Sequence, residues 1–145
     1  MAFRFSLEAV LRFRQNVERV EEAALTRIVQ EIAGVQLEFQ RINAQQESLR
    51  AQLERDLKRI LPAIELMELA EQEAWLRAGA EALRIRLQEL EAKRLEQLGI
   101  YQKAQQGRQI LSEVRKRQQN SYEIDQRRRE QKTLDEIFLA RQERE

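Results

Sequence analysis

From Leu25 onward the apolar residues recur at steps of three and four, through Ile28, Ile32, Val35, Phe39 and Ile42, across polar Gln46, and on to Leu49 and Leu53. That spacing predicts a long helix that buries one narrow stripe against a partner helix. Upstream the stripe continues as Val10, Phe13, Val17, Val20 and Ala24, where the steps 20 to 24, 24 to 28 and 28 to 32 are all four residues. Extra steps of four relax a left-handed supercoil locally. Ser6 stands before Leu7, Glu8 and Ala9, placed to cap the helix start with an acid in its first turn. The first helix is therefore expected over about residues 6–60, with Phe3 and Phe5 ahead of it. Gln46 is read as a tolerated polar residue on the seam, with a register or partner-selecting role as the sharper alternative.

Pro62 is the only proline. Proline pushes Leu61 out of the helical region and suits the first turn of a new helix, so a reversal is expected over about 60–65 and a second helix over about 65–142. A hairpin lets two stripes in one chain bury each other, whereas a kinked single helix would need a second chain. The second stripe runs through Leu66, Leu69, Leu76, Ala80, Leu83, Leu87 and Leu90, then becomes patchier through Leu98, Tyr101, Ala104, Leu111 and Val114. The fold class is all-α: two long helices in an antiparallel coiled-coil hairpin, a single elongated domain over 1–145, with the C-terminal helix longer and overhanging. Such a fold pairs residue i with roughly residue 124 minus i, which sets Leu49 near Trp75 and Ile32 near Ala92. At about 1.5 Å per residue the arms would span roughly 85 and 120 Å, so the last twenty or so residues project. Residues 115–133 hold only Tyr122 and Ile124 as large apolar groups and are expected to fray alone. Leu134, Ile137, Phe138 and Leu139 then form a short apolar patch that asks for a cover.

Composition agrees with this architecture: 145 residues with 35% charged, 6% aromatic, four glycines and one proline suit a long-helix protein. Cysteine and histidine are both absent, which removes disulfides, thiolate nucleophiles and the usual zinc ligands. No phosphate-cradling glycine loop occurs, and the carboxylates fall on solvated helical positions, so neither an enzyme nor a cofactor site is expected, and no small-molecule substrate. No stretch approaches the ~20 apolar residues of a membrane span, which points to the cytoplasm. The net charge is only +1, so any message lies in local charge. Acids Glu65, Glu68, Glu71, Glu73, Glu81, Glu89 and Glu91 follow the reversal. Folding would instead gather Arg4, Arg12, Arg14 and Arg19 beside Arg108, Arg115, Lys116, Arg117, Arg127, Arg128, Arg129 and Lys132 at the open end. A partner for that basic end is expected to be an acidic protein rim; nucleic acid is disfavoured, because stacking aromatics and groove-reading motifs are missing. Trp75, the only tryptophan, stands beside the second stripe, either as seam-edge packing or as a docking aromatic with Leu66, Met67 and Leu76 as neighbours.

The segments FRFSLEAVLRFR at residues 3–14 and REQKTLDEI at residues 129–137 together resemble the FliJ family of flagellar export proteins. The likeness rests on Phe3, Phe5, Leu7, Glu8, Val10, Leu11 and Arg14 at one end, and on Glu130, Gln131, Lys132, Leu134, Asp135, Glu136 and Arg141 at the other. It implies a soluble, motility-related component of the bacterial flagellar type III export apparatus, a two-helix coil similar to the central stalk of rotary ATPases. The resemblance also implies that the paired ends bind the hexameric export ATPase ring. Arg12, Arg14, Arg127, Arg128, Arg129, Lys132, Asp135 and Glu136 are the candidates for that contact. The opposite end would meet the export gate membrane protein, with Leu66, Met67, Trp75 and Leu76 as candidates, and export chaperones are a further implied partner. The protein would then be a monomer in isolation, associated peripherally with the cytoplasmic face of the inner membrane at the flagellar base. Gly79 and Gly99 interrupt the second arm where a gate contact would fall.

Three alternatives stand beside this one: an export chaperone or adaptor that escorts substrates, the homologous stalk of a virulence-type secretion system, and a purely structural homodimeric coiled coil. The N-terminal FRFSLEAVL favours the flagellar over the virulence-type member.

Overall fold

The computed structural model describes residues 2–144. Two helices, α1 (Glu8–Asp56) and α2 (Ala63–Arg144), pack against each other, and no strand occurs among the described residues. The reversal, over residues 57–62, comes earlier than the sequence predicts and is of the predicted length. Leu57 N–H donates to the Leu53 carbonyl at 2.8 Å and Arg59 N–H to that of Asp56 at 2.9 Å, which closes α1. Ile60 is fully exposed, so no seam contact holds residues 57–60 helical. The Pro62 carbonyl then accepts from Glu65 at 3.1 Å and Leu66 at 3.3 Å, and opens α2. A missing N–H costs nothing at that position. No described residue has positive φ, which is why the turn needs no glycine. At the start of α1, Glu8 N–H donates to the Phe5 carbonyl at 3.2 Å. The expected Ser6 cap is not formed: Ser6 is exposed and its hydroxyl bonds nothing in the first turn.

The chain's contacts divide into two units, residues 22–100 and residues 2–21 with 101–144. In the first unit the sequence pattern and the seam coincide. Leu25, Ile32, Phe39, Gln46 and Leu53 take the a positions of a heptad, and Ile28, Val35, Ile42 and Leu49 the d positions; all are buried or half-buried. On α2, Leu69, Leu76, Leu83 and Leu90 take d, with Glu73, Ala80, Leu87 and Arg94 at a. Leu90 is wholly buried, and Ile32, Leu49 and Leu76 nearly so. The Arg86–Glu31 ion pair at 3.6 Å joins the two g positions, and Gly79 at g faces the Ile42 side chain at d. Both g rows therefore lie on one side of the seam.

The second unit keeps the same register but not the same chemistry. Leu11 and Glu18 fall at a and Arg14 and Glu21 at d on α1, opposite Tyr101, Arg108, Arg115 and Tyr122 at a and Ala104 and Leu111 at d on α2. Leu11 is 2% exposed and Ala104 8%. Here the expected stripe is overturned, because Val10, Phe13 and Val20 are 42%, 61% and 64% exposed. They occupy g and c, beside the seam. The successive steps of four arise from crossing between that outer stripe and the d row, so the supercoil has no relaxed stretch to account for. The pairing of residue i with about 124 minus i holds within each unit: Ile42 faces Gly79 in one, and Glu18 meets Arg108 and Phe3 meets Tyr122 in the other.

Two of the four glycines stand in helix with open space where a side chain would begin: at Gly34 and Gly99 nothing beyond the local helix backbone and the adjoining residues lies within 4 Å of the position a Cβ would take. Gly34→Ala and Gly99→Ala should each raise the unfolding free energy by about 0.5–1 kcal/mol in chemical denaturation, since alanine loses less backbone freedom on entering a helix. A fall in stability at either position would show that the backbone there is closely approached.

Candidate partner-binding surface

Around the Leu11 and Ala104 seam, the described residues of the terminal unit include one aromatic contact, one buried aromatic and two cross-helix ion pairs. Phe5 is 7% exposed, and the Phe3 ring lies 5.6 Å from that of Tyr122, tilted by 46°. Arg108 grips Glu18 with both arms of its guanidinium, Nε to Oε2 at 2.7 Å and Nη2 to Oε1 at 3.3 Å. The hydrogen bond to that carboxylate holds the Arg108 guanidinium above the ordinary arginine value, against a smaller opposing effect of burial. Arg115 reaches Glu8 at 3.5 Å. These two arginines, assigned to a free basic end by the sequence pattern, are thus used inside the unit.

The other bases are not. Arg4, Arg12, Arg14 and Arg19 make no ion pair among the described residues, nor do Lys116, Arg117, Arg127, Arg128, Arg129 and Lys132. All are exposed. The candidate ring-contact residues fall into two groups. Arg12 borders a shallow depression with Phe3, Arg4, Phe5, Glu8 and Arg115, and the Arg14 side chain lies along Gly107, 3.7 Å from where a Cβ would stand. Arg127 begins twelve residues beyond Arg115, about 18 Å further along α2. Lys132, Asp135 and Glu136 follow it, with Gln131 Nε2 donating to Asp135 Oδ1 at 3.2 Å. Leu134, Ile137, Phe138 and Arg141 form an exposed stripe beside Asp135. Over residues 123–144 only Gln126 is half-buried; the rest present their side chains to solvent.

In the unit of residues 22–100 the four gate candidates separate. Leu66, Met67 and Trp75 are 41%, 64% and 73% exposed, while Leu76 is 3% exposed and belongs to the seam. Trp75 therefore stands at the seam edge with most of its ring in solvent. It borders a cleft between the helices with Gln45, Ser48, Gln52 and Gln72, floored by Leu49 and Leu76. The acids nearby are largely neutralised one turn away: Glu73 by Arg77 at 2.9 Å, Glu81 by Arg84, Glu89 by Arg86 at 3.5 Å and Glu91 by Arg94 at 2.6 Å. Glu65, Glu68 and Glu71 stay unpaired among the described residues. Hydrogen bonds from Arg84 and Arg94 hold the Glu81 and Glu91 carboxyls below the usual range. A lowered carboxyl pKa adds stability that is complete above the unfolded glutamate value and is lost as pH falls through the folded one. Both groups are solvent-exposed, so the resulting acid dependence of α2 helicity should be shallow and should fade in high salt, as followed by circular dichroism.

Sequence reasoning missed the Glu18–Arg108 pair and the Phe3–Tyr122 contact. The signal was the register itself: continued back from Leu25 it sets Glu18 at a, and continued forward along α2 it sets Arg108 and Tyr122 at a.

No family model matches the chain, and neither does any curated protein or solved structure. No helix among the described residues is long and apolar enough to cross a membrane.

Proposed function

We propose that this chain is a stalk component of the bacterial flagellar type III export apparatus, a FliJ-type protein that binds and stimulates the export ATPase ring and links it to the export gate. The observation that carries this is the concentration of unneutralised arginines and lysines in the unit that holds both terminal motifs, FRFSLEAVLRFR and REQKTLDEI. Arg127, Arg128, Arg129, Lys132, Asp135 and Glu136, with Arg12 and Arg14, form the proposed ring contact. Guanidinium groups without an internal partner are suited to the acidic rim of a ring, because pairing costs them no existing ion pair. One two-helix coil inside a six-membered ring cannot touch all subunits equally, and unequal contact energy is what would bias assembly and couple nucleotide state to the gate. Leu66, Met67 and Trp75 form the proposed gate contact; Leu76 supports it from the seam. The protein acts without chemistry of its own, in the cytoplasm at the membrane face of the flagellar base, with export chaperones as additional partners.

Reversing Arg127, Arg128 and Arg129 to glutamate should abolish stimulation of ATP turnover by the purified export ATPase while circular dichroism stays helical. Unchanged stimulation would remove the ring assignment. Absence of any stimulation by the wild-type chain would favour the chaperone or adaptor alternative.

A further inference from the structure

The terminal unit carries a second apolar face beside its seam. Val10 and Val17 stand at g and Phe13 and Val20 at c on α1, spaced by three and four residues like a seam of their own. Phe13 and Val20 are more than half exposed. On α2 the matching rows hold Gly107 and Val114 at g, and Ile110, 61% exposed, at c. Arg14 at d lies against Gly107 at g, so the g row of α2 flanks the α1 seam here, and in an antiparallel coil the two g rows share one side. The two helices together thus form one groove with apolar walls and, at Gly107, a floor covered by the Arg14 side chain. This is not a general property of the chain. The same positions of α1 between residues 27 and 52 are Arg27, Glu31, Gly34, Glu38, Arg41, Gln45, Ser48 and Gln52.

Charge around the groove says what fits it. Lys103 and Arg117 occupy the remaining c positions of α2, Arg14 lies at the floor, and none of the three has an ion-pair partner among the described residues. The outer α1 edge is neutral, Ala9 and Asn16, and Glu113 is the one acid on the α2 edge. A second copy docking face to face would set these cations against their own images, which is costly. We infer that this groove takes a third helix from a different protein, one with an apolar heptad stripe and acidic flanks. It would complete a three-helix bundle over the terminal unit. The groove's role does not depend on the export reading, because none of these positions except Arg14 belongs to the proposed ring contact.

The test uses the full chain and a dye-labelled synthetic heptad peptide with leucine at a and d and glutamate at e and g, beside its lysine-flanked twin. In anisotropy titrations the glutamate peptide should bind at least about tenfold more tightly than the lysine peptide, and less tightly as salt rises. Phe13→Gln with Ile110→Gln should remove that binding while circular dichroism is unchanged, since both side chains are exposed. Lys103→Glu with Arg117→Glu should invert the preference between the peptides, and Arg127→Glu should leave it intact. Equal binding of the two peptides, binding that survives Phe13→Gln with Ile110→Gln, or no binding of either would overturn the assignment. So would a chain dimer in sedimentation equilibrium that Phe13→Gln returns to monomer, for then a second copy covers the face.

Discussion

Replacing Leu90 with alanine is expected to lower the unfolding free energy by about 2–4 kcal/mol, the largest loss from any single truncation in the unit of residues 22–100. Leu90 is 0% exposed, a rare condition in a two-helix coil, where most seam residues keep an edge in water. Its branched end sits at d, in the layer that also takes Ile32, so truncation loses both the transfer free energy of three carbons and the contacts of a space that two helices cannot easily collapse. Leu95→Ala is the matched control: the same chemical change little more than a turn away, at a side chain 59% exposed, should cost well under 1 kcal/mol. Urea denaturation at unchanged slope separates the two, since a change in slope would report a change in the unfolded state instead. Leu11→Ala should repeat the Leu90 result in the terminal unit, where Leu11 is 2% exposed. A loss below about 1 kcal/mol at Leu90 would mean that the seam is open there.

The helical pattern is legible wherever apolar side chains and heptad register agree, as they do from Leu25 to Leu53 with Gln46 as the one polar seam residue. In the terminal unit they part. The register passes through Arg14, Glu18 and Glu21, while the valines and Phe13 lie beside it, and hydrophobicity alone follows the wrong row. What separates the two rows is the partner helix: only its position decides which of two adjacent stripes is covered. The same ambiguity bears on the candidate sites. Trp75 and Leu76 are neighbours in sequence, but about 100° of helical rotation sends one outward and the other into the seam. Charge is misleading for a related reason, because a count of bases along the chain does not reveal that Arg108 is matched by an acid ninety residues earlier. Arg127, Arg128 and Arg129 make no ion pair among the described residues, although Glu123, Asp125 and Glu130 stand three or four residues from them, at spacings that allow one.

The pair formed by Glu18 and Arg108 should behave as a coupled unit rather than as two surface charges. Their side chains are 16% and 27% exposed and meet at a positions of both helices, so each has given up much of its hydration and depends on the other. Glu18→Leu strands a guanidinium in the seam, and Arg108→Leu strands a carboxylate; each should cost about 1–3 kcal/mol, less than the loss for a fully buried pair because some water remains within reach. Making both changes together should recover most of that, since two leucines in adjacent layers of the seam extend the Leu11 and Ala104 core, giving a coupling energy of about 2–3 kcal/mol in a double-mutant cycle. The raised Arg108 value contributes no pH dependence near neutrality: a base with a raised folded pKa supplies its full stabilisation below the unfolded value and loses it only as pH rises through the folded one. The double-leucine chain should differ in another respect. A charged pair tolerates one alignment of the helices, whereas a continuous apolar seam tolerates several and admits other chains. Sedimentation equilibrium should therefore find the double variant more prone to associate than the parent, at equal or greater thermal stability, and the charge swap Glu18→Arg with Arg108→Glu should restore the parent's behaviour. Purely additive single losses, with no recovery in the double variant, would show that the two residues stabilise the unit independently and that the seam is aligned by its apolar layers alone.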